Sequence, residues 1–170
     1  MIWFLIVDAD VLKYGNDINT DLIIPGKYLV ITDEKRLGKH AMDGLDPDFF
    51  NKSRHGSVLV VGENFGSGSS REQAPISLKN AGVKCIVAKS FARIFYRNAI
   101  NIGLPVLECL DLWNEVREGD ALSVNLDEGK ITNKRTTGTF QANPLPPFIL
   151  DIIQHGGLLN KLKDSLNSKK

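Results

Sequence analysis

A glycine-rich loop between a predicted strand and a predicted helix most constrains how this chain folds. Ser57–Val61 is a run of β-branched and apolar residues, which is typical of a buried strand. The loop that follows, residues 62–71, reads GENFGSGSSR, and its three glycines allow backbone conformations that a Cβ would block. A helix is expected from Glu72 to Asn80, with Gly82 as a left-handed C-terminal cap. This order predicts an α/β fold whose loop is suited to binding an anion.

The elements on either side of this loop predict a mixed sheet. Strands and helices alternate after the loop, which favours parallel strands in the middle of the chain. Turn signals at residues 118–120 and 127–130 flank alternating segments, which predict antiparallel hairpins nearer the C-terminus. The predicted strands are Ile2–Val7, Ser57–Val61, Val83–Ala88, Val106–Glu108, Ala121–Leu126 and Ile131–Asn133, and the predicted later helices are Ser90–Asn101 and a short helix ending at Gln154.

The N-terminal third carries weaker signals. Residues 8–21 are rich in Asn and Asp, so we expect a polar turn region there. The apolar Leu22–Ile24 stops at the turn dipeptide Pro25-Gly26. Residues 32–54 are charged and contain a helical pattern, which predicts a surface helix and loop. We expect one domain over residues 1–170, with a frayed tail at 165–170.

Charge and hydropathy exclude several classes of protein. Lys and Arg number 21 and Asp and Glu number 20, so the net charge of +1 lacks the basic excess of a phosphate-tracking protein. The longest apolar run, Ile2–Val7, is too short to span a bilayer and lacks the basic start of a signal peptide. We therefore expect a cytoplasmic protein with neither nucleic acid nor a membrane as partner.

Familiar metal and nucleotide motifs are missing from the sequence. Cys85 and Cys109 show no C-x-x-C spacing, which supports neither a disulfide framework nor a complete zinc or iron–sulfur site. The glycines match neither a P-loop nor a dinucleotide fingerprint, and no nucleophile elbow occurs. His40, His55 and His155 have no metal-binding or triad spacing, so each is interpreted as a surface residue. We assign no metal ligand to this chain.

Two interpretations fit the Ser-Ser-Arg sequence that ends the loop. Pro75 is expected in the first turn of the helix, which would leave amides near Ser69–Arg71 unpaired and able to bind an anion. Alternatively, the spacings Ser69–Glu72 and Ser70–Gln73 both fit a capping box, in which the serines only cap the helix. Neither interpretation excludes the other.

Three motifs resemble the small subunit of 3-isopropylmalate dehydratase, the swivelling-domain partner in the aconitase superfamily. They read YGNDINTDLIIPGKYL, GENFGSGSSREQAPISLKNAG and AKSFARIFYRNAINIGLPVLE, and they occur in the family's order. The resemblance implies a three-layer β/β/α swivelling domain with a mixed sheet and C-terminal hairpins. It also implies a separate large subunit that carries a [4Fe–4S] cluster, with no cofactor bound by this chain.

The same resemblance implies roles for single residues of the loop. Ser69 matches the family's catalytic base, a role that needs hydrogen-bond donors and a nearby cation to stabilise the alkoxide. Arg71 matches a residue that holds a substrate carboxylate, and Ser70 matches a further hydrogen-bonding residue. Asp21 matches an active-site aspartate; the alternative is a turn residue that binds its own backbone.

A short apolar segment falls in the loop that reads the variable side chain of the substrate in this family. Relatives that act on a substrate with an extra carboxylate carry an Arg in or near it, because a buried unpaired carboxylate is costly. Lys27 and Lys35 lie close enough to weaken this inference, and a short buried strand is the alternative. The apolar segment, which points to an isopropyl or other small alkyl group, consists of Tyr28, Leu29, Val30 and Ile31.

Two further features depart from the family or are left unassigned. Ser67 stands where many relatives have Cys, and residues 1–12 are more apolar than the family pattern. Lys89, Arg93 and Arg97 share one helical face, which is ordinarily a solvated stripe; contact with an acidic large-subunit surface is the alternative.

The resemblance implies a hydro-lyase subunit that interconverts 2-isopropylmalate and 3-isopropylmalate through 2-isopropylmaleate, in leucine biosynthesis. Its expected partners are the large subunit and a small 2-hydroxy dicarboxylate. Two alternatives stay open at this point. One is the same scaffold serving homoaconitate or a methyl-substituted malate, and the other is a non-catalytic anion-binding module.

Overall fold

The strands form one curled, mixed sheet in the computed structural model, which describes residues 5–167. In the described residues the sheet has seven strands in the order β4-β3-β2-β1-β5-β6-β7. Helices pack beside it and complete an α/β fold, as predicted. The strands are β1 (Ile6–Lys13), β2 (Ser57–Val61), β3 (Val83–Ala88), β4 (Val106–Glu108), β5 (Ala121–Asn125), β6 (Lys130–Asn133) and β7 (Thr139–Gln141).

The helices are short, and a 3-10 turn lies between the first two of them. No helix in residues 5–167 is long and apolar enough to cross a membrane. The helices are α1 (Thr20–Ile23), α2 (Glu34–Gly38), α3 (Phe49–Ser53), α4 (Gln73–Asn80), α5 (Arg93–Asn101), α6 (Leu112–Glu115), α7 (Pro147–Gln154) and α8 (Leu158–Asn167), and the 3-10 helix is Gly26–Tyr28.

The parallel half of the sheet confirms the predicted strand–helix alternation. β1, β2, β3 and β4 are parallel neighbours, with α4 between β2 and β3 and α5 between β3 and β4. Every residue of β2 is buried, which explains its uninterrupted apolar sequence. Gly82 follows α4 at φ +106°, as the predicted left-handed cap requires. The carboxyl ends of these strands lead into the loops that carry the candidate site.

The antiparallel half confirms the predicted hairpins. β5 pairs with β1 and β6, and β7 extends the sheet beyond β6. Alternate residues of β5 are buried, as expected of a strand with one face on the core. The buried carboxylate of Asp120, just before β5, accepts hydrogen bonds from Arg135 and from Asn133 Nδ2 at 2.7 Å. These contacts fix the two hairpin strands relative to each other.

The prediction for the first strand was wrong in its position. β1 runs over Ile6–Lys13, so residues 8–13 form a strand instead of a polar turn. Asp8 and Asp10 are exposed at alternate positions of β1, and the Asp8 carboxylate pairs with Lys134 Nζ at 2.9 Å. A strand of alternating exposure accommodates carboxylates that a fully buried strand would not. Residues 2–4 of the predicted strand lie outside the described residues.

The segment predicted as a surface helix and loop is partly buried. α2 and α3 occupy it, and Leu37 and Phe49 lie in the hydrophobic core. A Cβ on Gly38 would lie 2.6 Å from the backbone of Asn80, so α2 packs closely on α4. At the other end of the chain, residues 165–167 of the predicted frayed tail continue α8, and residues 168–170 lie outside the described residues.

Candidate active site

Two loops that are distant in sequence meet through their backbones. The amide of Gly66 donates to the carbonyl of Ile18 at 2.8 Å, and the amide of Thr20 donates to the carbonyl of Ser67 at 2.8 Å. Asn19 and Ser67 form a parallel bridge. Ser67 therefore contributes its backbone to this junction, which brings the Asn-Thr-Asp segment beside the glycine-rich loop.

Glycine is required in this loop by shape as well as by conformation. Gly66 has φ +80° and Gly68 has φ +100°, values that L side chains rarely adopt. A Cβ on Gly66 would overlap the ring of Phe95 in α5. The Phe65 and Phe95 rings pack edge to face with centroids 5.1 Å apart, which holds the loop on α5. The Phe95 ring of α5 can therefore pack against the loop only because residue 66 is glycine.

Ser69 projects from this junction and does not cap the helix. Its Oγ lies 3.1 Å from Oγ1 of Thr20, and the two hydroxyls share a hydrogen bond. The N-cap of α4 is Glu72, whose side chain accepts no capping bond, so the structure does not support the capping-box alternative. Ser69 is exposed, whereas Thr20 is 2% exposed. A reactant outside the chain can therefore reach the Ser69 hydroxyl, and a buried hydroxyl orients it.

Of the amides predicted to be unpaired, those of Ser69 and Ser70 make no hydrogen bond within the described residues, whereas that of Arg71 does. The amide of Arg71 donates to the carbonyl of Ser69 at 2.9 Å, so it is not available to an anion. The turn thus formed ends the loop before α4 begins at Gln73. Ser70 lies exposed in the middle of this turn, and its hydroxyl makes no hydrogen bond to the described part of the chain.

Arg71 and Asp21 form an ion pair beside Ser69. Nη1 of Arg71 contacts Oδ1 of Asp21 and donates to the carbonyl of Ile24 at 3.1 Å. The Arg71 side chain is 20% exposed and that of Asp21 is 66% exposed. Since both contacts use Nη1, the fixed guanidinium has further N–H groups for a carboxylate that arrives from outside. The structure brings together Asp21, Ser69 and Arg71, as the sequence predicted for a shared site.

Thr20 and Asn19 are residues of this site that the sequence analysis missed. Thr20 supplies the hydroxyl next to Ser69, and the side chain of Asn19 caps α1 by accepting from the amide of Leu22 at 3.0 Å. The signal was present, because both residues precede Asp21 in the segment already singled out. A buried polar Thr in a short polar run is a common feature, however, and only the tertiary fold shows its partner.

The segment predicted to read the substrate side chain is a turn and not a buried strand. Tyr28 ends the 3-10 helix and stacks on the ring of His40, with centroids 3.9 Å apart. Leu29 and Ile31 are partly buried against the core. Val30 is 83% exposed. The Val30 side chain is therefore exposed to solvent, while Leu29 and Ile31 anchor the turn on the core.

The two cysteines are unsuited to holding an iron–sulfur cluster. Cys85 and Cys109 are both buried, and burial raises the pKa of the Cys85 thiol to about 12, which opposes the thiolate form that a cluster needs. In residues 5–167 no group of three His, Cys, Asp or Glu side chains is placed to hold a metal ion. A cluster does not fit the donor set of this chain.

A cavity of about 420 Å³ adjoins Ser69 on the side of helix α5. Gly66 and Gly68 line it from the loop, and Arg93 and Arg97 line it from the helix. The predicted basic stripe is wrong for Lys89, because α5 begins at Arg93 and Lys89 lies before it, with Nζ 4.9 Å from the centroid of the Trp113 ring. Arg93 and Arg97 therefore line the cavity, and Lys89 contacts an aromatic ring instead.

Over most of its length the sequence is similar to proteins of one kind. The family described as the aconitase C-terminal domain matches residues 16–111. The 3-isopropylmalate dehydratase small subunit of Halothermothrix orenii is 51% identical, over 92% of this chain and 94% of that protein. The isopropylmalate/citramalate isomerase small subunit of Methanocaldococcus jannaschii is 48% identical, over 95% of this chain and 96% of that protein.

Solved structures agree with this likeness. The crystal structure of 3-isopropylmalate dehydratase from Methanocaldococcus jannaschii matches with a TM-score of 0.90 and 43% identity, over 97% of this chain and 99% of that chain. Aconitase X of Thermococcus kodakaraensis matches with a TM-score of 0.50 and 15% identity, over 81% of this chain and 90% of that chain. The second match is a likeness of fold alone. Together they confirm the predicted aconitase-type α/β fold.

Proposed function

The chain belongs to the aconitase C-terminal domain family and, within it, to the small subunits of 3-isopropylmalate dehydratase, and from this membership we propose its reaction. It is the small subunit of a hydro-lyase that interconverts 2-isopropylmalate and 3-isopropylmalate through 2-isopropylmaleate, in leucine biosynthesis. We place the complex in the cytoplasm. The observation that carries the proposal is the junction of two loops that presents Ser69 beside the Arg71–Asp21 pair.

Ser69 is the base that takes the proton from the carbon next to the hydroxyl-bearing carbon of the substrate, and it later returns a proton. A serine hydroxyl is a weak acid, so this role needs groups that stabilise the alkoxide. The hydroxyl of Thr20, 3.1 Å away, can donate to that oxygen, and the Arg71 guanidinium adds a positive charge close by in the chain. The exposure of Ser69 leaves it open to a substrate that approaches from the surface.

Arg71 holds one carboxylate of the substrate, and Asp21 holds Arg71. The contact of Nη1 with Asp21 and with the Ile24 carbonyl fixes the plane of the guanidinium before substrate arrives. A fixed fork loses little conformational freedom when it binds a carboxylate. Ser70, exposed between Ser69 and Arg71, supplies a further hydrogen bond to the substrate.

The large subunit completes this site. Ser69, Ser70, Asp21 and Val30 are all exposed on the chain, whereas a reaction of this kind needs a site that excludes water. We place the [4Fe–4S] cluster, which would supply a Lewis acid, on the large subunit, because the buried thiols of this chain do not suit it. The chain alone is therefore half of an active site.

Val30 contacts the alkyl group of the substrate. Its side chain is 83% exposed and is held outwards by the anchored turn around it. An apolar contact of this kind favours an isopropyl group over a third carboxylate. A methyl-substituted malate is a second candidate substrate, since the similar protein of Methanocaldococcus jannaschii is named for both isopropylmalate and citramalate.

Reconstitution with a large subunit tests the proposal. Formation of isopropylmaleate from 2-isopropylmalate is followed by absorbance, with citramalate and homoaconitate as competing substrates at equal concentrations. We expect the highest kcat/KM for 2-isopropylmalate and very low turnover of homoaconitate. A complex that turns over none of the three substrates, while the chain still binds small anions, would support a non-catalytic module.

A further inference from the structure

The cavity beside Ser69 continues into a larger one on the other side of two arginines. The second cavity has a volume of about 560 Å³. Arg93 and Arg97, which are one helical turn apart in α5, line both cavities. Helix α7 bounds the larger cavity on its far side, where Phe148 and Ile149 line it. The surface that runs from Ser69 across α5 to α7 is therefore continuous.

Large apolar side chains are exposed along this surface. Ile94 lines the cavity that holds Ser69 and is 51% exposed, and Phe148 lines the larger cavity and is 63% exposed. Tyr96 and Ile149, which also line the larger cavity, are only partly buried. Exposed apolar side chains that are grouped around a cavity are typical of a contact surface. The α5–α7 face is the name given below to Arg93, Ile94, Tyr96, Arg97 and Phe148.

The two arginines give the α5–α7 face an excess of positive charge. Both are exposed, and no carboxylate of residues 5–167 lies within 4.0 Å of either guanidinium. Glu108 also lines the larger cavity but forms no ion pair with them. A surface complementary to this face therefore presents apolar side chains with carboxylates beside them.

The position of Ile94 links the α5–α7 face to whatever covers Ser69. Both residues line the same cavity, so a partner that excludes water from the Ser69 hydroxyl also covers Ile94. A stable interface buries about 800 Å² on each partner, which is far more than the surroundings of a single serine supply. The contact must therefore extend over neighbouring surface, and aromatic residues and arginines of the kind found on the α5–α7 face commonly anchor interfaces.

We propose that the α5–α7 face binds the large subunit, through an apolar surface of that subunit flanked by carboxylates. The inference rests on the proposed function, because it takes the large subunit as the protein that covers Ser69. Phe148 inserts into the apolar surface of the large subunit, and Arg93 and Arg97 pair with its carboxylates. Docking and closure of the active site are then a single event, because one helix, α5, carries residues of both.

Titration of the large subunit against variants of the full chain tests the apolar part of the α5–α7 face. Phe148→Ala is expected to raise Kd for the large subunit on the order of 10- to 100-fold, as truncation of an aromatic anchor does. Leu166→Ala is the matched control, since Leu166 is 68% exposed on α8 and lines neither cavity. Its Kd should stay within about twofold of wild type.

Activity at a saturating concentration of the large subunit separates docking from catalysis. Phe148 does not line the cavity that holds Ser69, so Phe148→Ala should reach the kcat of wild type once the complex is fully formed. Only the concentration of large subunit needed for half-maximal activity should rise. A kcat that stays low at saturation would overturn the assignment of Phe148 to docking.

The salt dependence of association tests the charged part of the α5–α7 face. The double variant Arg93→Gln/Arg97→Gln should associate more slowly than wild type at low ionic strength and should be slowed less by added NaCl, because salt screens the charges that it lacks. Arg93→Lys/Arg97→Lys keeps both charges and should keep the salt dependence of wild type. An unchanged salt dependence in the Gln variant would refute the pairing with carboxylates.

Two further outcomes would overturn the proposal as a whole. One is wild-type affinity for the large subunit in both Phe148→Ala and the double Gln variant. The other is a dimer of the isolated chain, detected by sedimentation, that Phe148→Ala dissociates without changing affinity for the large subunit, because a second copy would then occupy the face. Binding that follows the expected pattern in a complex unable to turn over 2-isopropylmalate would refute the proposed reaction alone, whereas an active complex whose affinity is indifferent to these variants would refute this surface alone.

Discussion

Replacing Ser69 by Ala separates a catalytic base from a structural hydroxyl. The substitution removes one oxygen, which is exposed and has a single hydrogen bond, to Oγ1 of Thr20 at 3.1 Å. Loss of a bond of this kind costs about 0.5–1.5 kcal/mol. In a chain of this size 1 kcal/mol corresponds to a melting temperature change of about 2–4 °C. Ser69→Ala should therefore remain folded and melt only a few degrees lower.

Turnover should change far more than stability does. A positioned base contributes roughly 10²- to 10⁴-fold to the rate, so kcat for 2-isopropylmalate should fall by at least about 100-fold. KM should change little, because Arg71, which holds a substrate carboxylate, is untouched. The loss is expected to lie in kcat because the base acts in the transition state.

The assay is isopropylmaleate formation by the reconstituted complex, with thermal unfolding measured on the same preparations. Thr20→Val is the matched control, since it removes the same hydrogen bond while leaving the Ser69 hydroxyl in place. It should lose comparable stability and part of the activity, since Thr20 supports the alkoxide, but less activity than Ser69→Ala, in which the base itself is gone. Ser70→Ala should also have a milder effect than Ser69→Ala. If Ser69→Ala kept wild-type turnover and lost only thermal stability, Ser69 would be a structural residue.

Three other predictions follow from the same structure. Purified alone, the chain should be colourless and should not hydrate isopropylmaleate; a brown, active preparation would refute the two-subunit arrangement. Val30→Arg should lower kcat/KM for 2-isopropylmalate about 10- to 200-fold, and equal wild-type efficiency on homoaconitate would show that this position does not select by polarity. Hydrogen bonds from Arg135 hold the pKa of Asp120 below its usual range, although burial acts in the opposite direction. Hydrogen bonds from the Arg117 amide and from Asn133 lower this pKa further. The stabilising contribution of Asp120 is therefore complete above about pH 4 and lost as pH falls through the lowered pKa, so Asp120→Asn should cost about 1–3 kcal/mol at pH 7 and less at pH 2 by urea unfolding.

The parts of the fold predicted well are those fixed by local sequence. Two strands cover the residues predicted for them, Ser57–Val61 and Val83–Ala88, and all of these residues except Lys84 are buried. Apolar β-branched runs of that length have few alternatives when they are buried. Gly82 ends α4 as predicted, because a residue at φ +106° is almost necessarily glycine. The hairpins after residue 118 were also predictable, since turn residues set their spacing.

The parts predicted poorly depend on contacts between distant segments. β1 was shortened and misplaced because Asp8 and Asp10 look like turn residues until a partner such as Lys134 is known. The capping box stayed an open alternative because Ser69 and Glu72 have the right spacing, but the hydroxyl of Ser69 bonds to Thr20, 49 residues away. Spacing within one segment cannot reveal a partner that the fold brings in from another.

The exposure of the candidate residues explains why the two loops must be held so firmly by backbone hydrogen bonds. Exposed side chains such as Ser69 gain little from packing, so their positions depend on the segments that carry them. The Thr20–Ser67 and Gly66–Ile18 hydrogen bonds, each 2.8 Å, fix those segments before any partner arrives. A half-site prepared in this way can meet its complement on another subunit without rearranging, which keeps the entropic cost of assembling the complete site low.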